Sequence, residues 1–525
     1  MIDIKKERFY ILALAILFAV LVRFQQNAEI SRIFQLSTAS GTIKYWIVFI
    51  FSFLVSIVFF YFFLWSIFEL GRWKRPEYVC FFRYFFIYLA ILSIILLCMW
   101  PGYFRADEKY TLAYALADLQ IYWYQSFYSF LLMVTSIMIL PYLAFITFFQ
   151  LVIISIFAAL SLCSIRKCLQ KKWLTYYMYI PFCLLPILND NQLVMRNSII
   201  CWIVLYITVK TYAEFKLNAY FSRKTLVTII TCLIFIGTWK TEMFCLLPCY
   251  LVIFFLKNNS LCTFKKILQI GVFSLCVMLL FSFPSHFEGN NNYILTTVLT
   301  PISKIVIQHK DDCPDDLKDA YETVTGFISY EELVPELSSI GTNVPRAYWE
   351  KPVMSSTDKK QYMCSALRLL WYYKADFIQN RIDIYKYTNG FVKDVINQVF
   401  SNSIIINGEN FFLSYFKYTN LAIPELKNYT INILSCRKLS DYMKTNCLFP
   451  IFYNVTYVIL ALWIILFGAI WKRKPLHICI CASLLIYSFV IFWLAPACYF
   501  MYYTPLYLTG YSYFMMLILK KIDSR

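Results

Sequence analysis

Apolar runs of about 20 residues recur along the whole chain, and they constrain its fold more than any other feature. Two of the longest cover residues 45–68 and 80–100. A bilayer core about 30 Å thick requires helices of about this length. Charged residues are 15% of the 525-residue sequence, against about 25% in an ordinary soluble protein. The sequence therefore predicts an all-α polytopic membrane protein.

Twelve apolar segments predict about 12 transmembrane helices. They begin at residue 9 and cover 9–22, 45–68, 80–100, 141–163, 176–188, 198–212, 225–238, 243–256, 267–283, 453–471, 476–495 and 501–519. A polar segment separates the last three runs from the rest. The expected organisation is an amino-terminal membrane domain over 1–283, a mainly helical domain over 284–452 and carboxy-terminal membrane helices over 453–525. Within the polar segment, 315–328 and 358–386 are expected to be helices.

The positive charge of the chain indicates membrane orientation and not nucleic-acid binding. The net charge is +18, but residues 284–452 contribute −1 and the remainder +19. With the amino terminus in the cytoplasm, 23 basic residues lie in inner loops and seven in short outer loops, as the positive-inside rule requires. Both termini are then cytoplasmic, and 284–452 is extracytoplasmic. The seven outer basic residues are Arg23, Arg32, Lys44, Arg105, Lys109, Arg196 and Lys240.

Two further features follow from this topology. The stretch 127–140 is expected to be an interfacial or re-entrant helix, with Pro141 marking the break before the true span. Four cysteines, Cys313, Cys364, Cys436 and Cys447, lie in the outer polar segment and allow up to two disulfides in an oxidising compartment. No metal-type cysteine spacing is present, and the chain has only three histidines.

The outer loop over 101–126 holds the richest set of reactive side chains. Asp107 and Glu108 are adjacent carboxylates. If Asp107 begins a helix, then Tyr110, Tyr114 and Asp118 follow on the same face. A carboxylate in a low-dielectric niche has a raised pKa and can act as a general base on a hydroxyl. The alternative is that the acidic pair caps a helix amino terminus.

Basic residues at other outer helix ends suggest phosphate binding. Arg196 follows the loop 189–197, and Lys240 lies in the loop 238–242. Arginine in particular binds phosphate bidentately. The alternative for each residue is a side chain that reaches toward lipid headgroups. Glu242 is two residues beyond Lys240, and an ion pair between them is one interpretation.

These motifs resemble the GT-C class of multi-pass membrane glycosyltransferases, which take a sugar from a polyprenyl-phosphate carrier. The run Asp107-Glu108-Lys109-Tyr110 is similar to the acidic start of the large first outer loop in the branch that depends on polyprenyl-phosphate sugars. Trp100-Pro101-Gly102 is similar to a Tyr-Pro-Gly that precedes the acidic loop in a low-GC bacterial family of this class. Tyr124-Gln125-Ser126 departs from the branch, which often has a His there.

The resemblance implies an inverting sugar transfer in a bacterial inner (plasma) membrane. Asp107 would deprotonate the acceptor hydroxyl, and Glu108 or Asp118 would assist or help hold a divalent cation, Mg²⁺ or Mn²⁺. Arg105, Arg196 and Lys240 would stabilise the phosphate leaving group. The remaining expected substrate contacts are Lys109, Tyr110, Tyr114 and Glu242. The implied partners are the lipid-linked donor and a glycan, glycolipid or protein acceptor.

Two other classes of membrane protein share parts of this layout. An O-antigen or polysaccharide polymerase or ligase also has about a dozen helices, with key basic groups in a large late outer loop. A lipid-carrier transporter would show internal repeats and broken or charged spans. The acidic loop after the third helix favours the transferase.

Overall fold

The structure of the protein, a computed structural model, describes most of the chain. The described residues are 4–34, 42–71, 76–102, 104, 106–119, 127–194, 196–258, 261–282, 292, 295–337, 341–391, 416, 423–436 and 448–524. Over these residues the regular elements are helices, and no β-strand occurs among them. The prediction of an all-α protein is confirmed to this extent.

The helices follow the apolar segments closely. In chain order they are α1 (Ile4–Ile33), α2 (Thr42–Gly71), α3 (Pro76–Cys98), α4 (Ala106–Asp118), α5 (Phe127–Ile139), α6 (Leu143–Lys167), α7 (Tyr179–Phe182), α8 (Leu185–Gln192), α9 (Arg196–Leu217), α10 (Arg223–Trp239), α11 (Leu246–Asn258), α12 (Leu261–Ser282), α13 (Thr296–Gln308), α14 (Lys318–Thr325), α15 (Tyr330–Leu333), α16 (Ser356–Tyr372), α17 (Lys374–Thr388), α18 (Pro424–Leu434), α19 (Phe449–Phe452), α20 (Thr456–Trp471), α21 (Pro475–Leu494) and α22 (Thr504–Asp523). Short 3-10 helices include Lys172–Met178 and Thr241–Cys245.

Seven helical segments of the described chain are long and apolar enough to cross a membrane. They are Glu7–Gln26, Tyr45–Phe68, Glu77–Cys98, Leu143–Lys167, Arg196–Leu217, Phe449–Trp471 and Pro475–Leu494. The chain is therefore a polytopic membrane protein. The full set of twelve spans and the orientation in the membrane stay predictions.

Two expectations about the amino-terminal half are wrong. The run 176–188 is not one helix but a 3-10 helix followed by α7 and α8, because Pro181 and Pro186 interrupt the regular backbone hydrogen bonds. Arg23 and Arg32 do not lie in a loop, since α1 continues to Ile33. Arg23 hydrogen-bonds to Ser56 and to backbone carbonyls, and Arg32 pairs with Glu29. With these partners the helix extends past the apolar run.

The described chain divides into two compact units. The first comprises residues 1–219, 404–434 and 515–525, and the second comprises 220–403 and 435–514. These units do not follow the three sequence segments, whose division by function stays a prediction. In the first unit α1 pairs with α2, and α6 packs against both α3 and α9.

A break between α5 and α6 is stabilised by one buried arginine. Pro141 separates the two helices, as the sequence predicted, and it leaves the last carbonyls of α5 without helical partners. The guanidinium of Arg23 donates to the carbonyl oxygen of Met138, to that of Ile139 at 3.1 Å and to Ser56 Oγ at 3.0 Å. Arg23 is buried. It therefore takes the place of water at a carboxy-terminal helix end inside the membrane domain.

The described part of 284–452 is helical, as expected. In the second unit α13 to α17 enclose an apolar core that includes Ile302, Val324 and Leu369. The predicted helix over 358–386 is two helices that meet at Tyr373. Cys313, Cys364 and Cys436 are free thiols, and Cys447 lies outside the described residues.

Replacing Arg23 with Met should destabilise the first unit. The carbonyls of Met138 and Ile139 would lose a donor, and each unsatisfied buried polar group costs about 1–3 kcal/mol. Thermal unfolding of the purified protein in detergent measures the effect. Arg32→Met is the matched control on the same helix, because Arg32 forms a partly exposed pair with Glu29 at 2.9 Å. Such pairs contribute about 0–1 kcal/mol. Equal decreases in Tm for the two variants would contradict the role given to Arg23.

The carboxy-terminal end of α22 should make stability depend on pH. Asp523 accepts hydrogen bonds from the backbone N–H groups of Lys171 at 2.7 Å and Gln170 at 2.6 Å, and these bonds lower the pKa of its carboxyl. A lowered folded-state pKa adds stability above the unfolded pKa, and this stability is lost as the pH falls through the folded value. The difference in Tm between wild type and Asp523→Asn should thus be full at pH 7 and shrink below about pH 4. A difference that does not change with pH would contradict this assignment.

Candidate functional site

The turn between α3 and α4 packs directly on α6. The N–H of Gly102 donates to the carbonyl oxygen of Met99 at 2.9 Å, and Gly102 has a φ of +123°. A Cβ at this position would lie 2.6 Å from Thr147 Oγ1. Only glycine combines this conformation with such a close approach. The Trp100-Pro101-Gly102 motif is therefore seated on the first turns of α6.

The acidic pair lies in the first turn of α4. The helix begins at Ala106, so the predicted helix over the stripe that starts at Asp107 is confirmed. Glu108 is 2% exposed and shares a buried face with Thr111 and Leu112, whereas Tyr114 on the stripe of Asp107 is 44% exposed. Glu108 thus lies on a face of α4 that packs toward the protein interior.

Gln150, one turn beyond Thr147 on α6, binds the turn between α8 and α9. Its carboxamide Nε2 donates to the carbonyl oxygens of Asn191 at 3.0 Å and Leu193 at 2.5 Å. These carbonyls belong to residues 189–198, here called the α8–α9 corner. The contact fixes the corner against the same helix that carries the Gly102 turn.

A buried hydrogen-bond network joins the corner to α3 and α9. Asn191 Nδ2 donates to the hydroxyl of Tyr88 at 3.0 Å, and Trp202 Nε1 donates to Asn191 Oδ1 at 2.8 Å. Gln192 Nε2 donates to the carbonyl oxygen of Leu92 at 3.1 Å. Each polar contact replaces water in the interior of the membrane domain.

Arg196 lies within this corner, at the first residue of α9, and is partly buried. Beside it, Asn197 is buried and the hydroxyl of Ser198 donates to the carbonyl oxygen of Asp190 at 2.6 Å. Asp190 is itself buried. In the first unit, α6 therefore contacts both the Gly102 turn, which precedes the acidic pair, and the α8–α9 corner, which contains Arg196.

The third predicted loop belongs to the second unit. Lys240 follows α10 and is 2% exposed, with its Nζ 5.5 Å from the ring centroid of Tyr502. Its side chain lies within the protein and does not reach out to lipid headgroups. Glu242 is partly buried in the 3-10 helix Thr241–Cys245.

Several predicted site residues fall outside what the structure describes. Arg105 is not among the described residues. The side chains of four residues on α4 are also outside the description, namely Asp107, Lys109, Tyr110 and Asp118. Among the described side chains, no group of three or more His, Cys, Asp or Glu residues is placed to hold a metal ion. The divalent cation stays a prediction.

Sequence reasoning missed the residues that hold the corner in place. Gln150 lies inside an apolar run, and Tyr88 lies in the middle of α3. The signal that could have found them was the amide of Gln150, because a polar side chain within a span requires a partner inside the protein. Its partner could not be inferred, since Asn191 is about 40 residues away along the chain.

Comparison with known proteins gives no relative: no family model, no curated protein and no solved structure matches this chain.

The close seating of the Gly102 turn should make Gly102→Ala destabilising. The new methyl group would meet Thr147 Oγ1, and the positive φ disfavours alanine, so we expect a loss of more than about 1 kcal/mol. Gly468→Ala is the matched control, because a Cβ added there would have no heavy atom within 4 Å and alanine favours a helix. Thermal unfolding in detergent compares the two. A Gly102→Ala protein as stable as wild type would show that the turn does not need this contact.

Proposed function

We propose that the protein is a GT-C-type membrane glycosyltransferase that moves a sugar from a polyprenyl-phosphate donor to an extracytoplasmic acceptor. The acceptor class is a cell-surface glycan, a glycolipid or a protein. The proposed location is a bacterial inner membrane, with both termini in the cytoplasm.

One observation supports this proposal above the others. Within one turn of α6, Thr147 carries the Gly102 turn and Gln150 carries the α8–α9 corner. The Gly102 turn precedes the acidic residues Asp107 and Glu108, and the α8–α9 corner contains Arg196. A general base and a phosphate-binding cation are the two groups that a transfer from a lipid phosphate needs most. The segments that carry these two groups both pack on α6.

The proposed reaction is a single inverting displacement. Asp107 accepts the proton of the acceptor hydroxyl, whose oxygen attacks the anomeric carbon of the donor. The bond from that carbon to the phosphate oxygen breaks, and polyprenyl phosphate leaves with the electron pair. Arg196 stabilises the charge that develops on the phosphate. Arg105 is proposed for the same role, and for Lys240, which lies in the second unit, phosphate binding stays a prediction from the sequence.

The other residues of the acidic loop have supporting parts in this proposal. Glu108 is buried, and we assign it to positioning the start of α4 and not to proton transfer. The exposed Tyr114 is a proposed contact with the substrate. Lys109, Tyr110, Asp118 and Glu242 stay proposed substrate contacts on the basis of their sequence positions.

Asp107→Asn tests the proposed base. Loss of a general base typically lowers the rate about 10²–10⁴-fold. Cells with the variant or without the gene should accumulate a polyprenyl-phosphate sugar and lack one surface sugar, as read by mass spectrometry, while the membrane content of the variant is normal. Asp315→Asn is the control, since the Asp315 side chain is 93% exposed in the second unit.

The outcomes separate the proposed function from its alternatives. If Asp107→Asn behaves like wild type while deletion shows the defect, Asp107 is a helix cap and not the base. If deletion instead leaves the polyprenyl-phosphate sugars unchanged and shortens a surface polysaccharide, a polymerase or ligase replaces the transferase. A carrier-linked sugar retained on the cytoplasmic side would indicate a transporter.

A further inference from the structure

Buried oxygen atoms without donors are concentrated around the α8–α9 corner. Five polar side chains there are at most 6% exposed, and each has an oxygen with no hydrogen-bond partner among the residues that the structure describes. The atoms are Thr147 Oγ1, Gln150 Oε1, Asn189 Oδ1, Gln192 Oε1 and Asn197 Oδ1. They come from α6 and from the corner that α6 holds.

For Gln150 and Gln192, the hydrogen bonds of the side chain show that the atom without a partner is the oxygen and not the amide nitrogen. The Nε2 of Gln150 donates to two carbonyl oxygens, and the Nε2 of Gln192 donates to a third. A carboxamide has one donor side and one acceptor side. With the donor side engaged, the oxygen of each side chain remains able to accept.

A structural role alone does not explain this arrangement. A buried polar atom that lacks a partner costs about 1–3 kcal/mol, and native proteins contain only a few such atoms per 100 residues. Gln150 and Gln192 also donate structural hydrogen bonds, but at Thr147, Asn189 and Asn197 an apolar side chain of similar shape would avoid this cost. Because these five atoms lie on α6 and on the corner that Gln150 joins to it, a bound species that donates hydrogen bonds to them would remove the cost.

The chemistry of the five atoms selects the kind of donor. Four are neutral carboxamide oxygens, which only accept, and one is a hydroxyl oxygen, which can also donate, so an anion would meet mainly acceptors there. A divalent cation favours several carboxylates, and Asp190 is the only acidic residue within the corner. Hydroxyl groups are neutral and supply the missing donors without leaving an uncompensated charge in a low-dielectric site.

We propose that these oxygens bind the hydroxyl groups of the glycosyl unit carried by the lipid donor, and so determine sugar specificity. The proposal rests on the proposed function. It extends that function by assigning sugar recognition to Thr147, Gln150 and the α8–α9 corner, next to the turn that leads to Asp107. Arg196, which is part of the corner, would then lie beside the phosphate to which the sugar is attached.

The test compares carrier lipids with and without a sugar. The probes are polyprenyl phosphate and the same lipid bearing glucose, N-acetylglucosamine or arabinose, and their binding to purified protein in nanodiscs is measured. Wild type should bind at least one glycosylated lipid more tightly than the bare carrier. Thr147→Val keeps the shape of the side chain and removes one oxygen. Asn197→Leu keeps the shape approximately and also removes one oxygen. Each should weaken binding of that glycosylated lipid about three- to tenfold, the effect of one hydrogen bond, and leave the bare carrier unaffected.

Two controls keep the result independent of folding. The variants should unfold at or above the wild-type Tm without ligand, because each removes a buried oxygen that lacks a partner. Ser155→Ala removes another buried oxygen without a described partner, two turns along α6 and outside this network, and should bind all lipids like wild type.

Three results would overturn the proposal. The first is that wild type binds every glycosylated lipid no better than the bare carrier. The second is that the variants bind them as wild type does, in which case ordered water alone satisfies the oxygens. The third is that Mg²⁺ or Mn²⁺ raises the Tm of wild type but not of the variants, which would identify a cation site.

Failure of this inference and failure of the proposed function give different results. Binding that depends on Thr147 and Asn197 without any sugar transfer would refute the proposed function alone. Transfer that depends on Asp107, with unchanged binding in the variants, would refute this inference alone.

Discussion

The backbone polar groups inside the membrane domain must find their partners within the protein, and the rest of the structure depends on this constraint. An unbroken helix satisfies its own backbone, but a break exposes carbonyls that water cannot reach. Arg23 binds the carbonyls at the end of α5, and Gln150 binds those of the α8–α9 corner. Both interactions permit irregular backbone beside α6. The candidate site is built from this irregular backbone, because an uninterrupted apolar helix exposes only hydrocarbon side chains and no polar group that could bind a substrate.

The regular part of the fold could be predicted because it depends on local patterns. A run of apolar residues long enough to span a bilayer predicts a helix whatever its neighbours are, and α2 and α21 match their predicted runs within a few residues. The break at Pro141 follows from the chemistry of proline alone. The helix over Asp107 to Asp118 was only a condition in the sequence analysis, and the structure supplies it. None of these features requires knowledge of which segments meet in space.

The irregular part could not be predicted because it depends on contacts between distant segments. Nothing near Arg23 in the sequence indicates that its partners are the carbonyls of Met138 and Ile139. The pairing of Gln150 with Asn191 is similarly long-range. For the same reason the burial of Lys240 could not be predicted from its position after α10. Sequence reasoning named candidate polar residues in the loops but not the partners that they contact.

The distribution of unsatisfied polar atoms connects stability with function. In the network around Asn191, the amides of Gln150, Asn191 and Gln192 all donate hydrogen bonds. On the acceptor side it is incomplete, since several oxygens have no donor among the described residues. A network kept only for stability gains from completing both sides, because each unsatisfied atom has a cost. Proteins tolerate such local conflicts mainly at sites where a ligand resolves them. The amide donors of the corner thus hold the backbone, and its oxygens without donors are the groups that a substrate hydroxyl would bind.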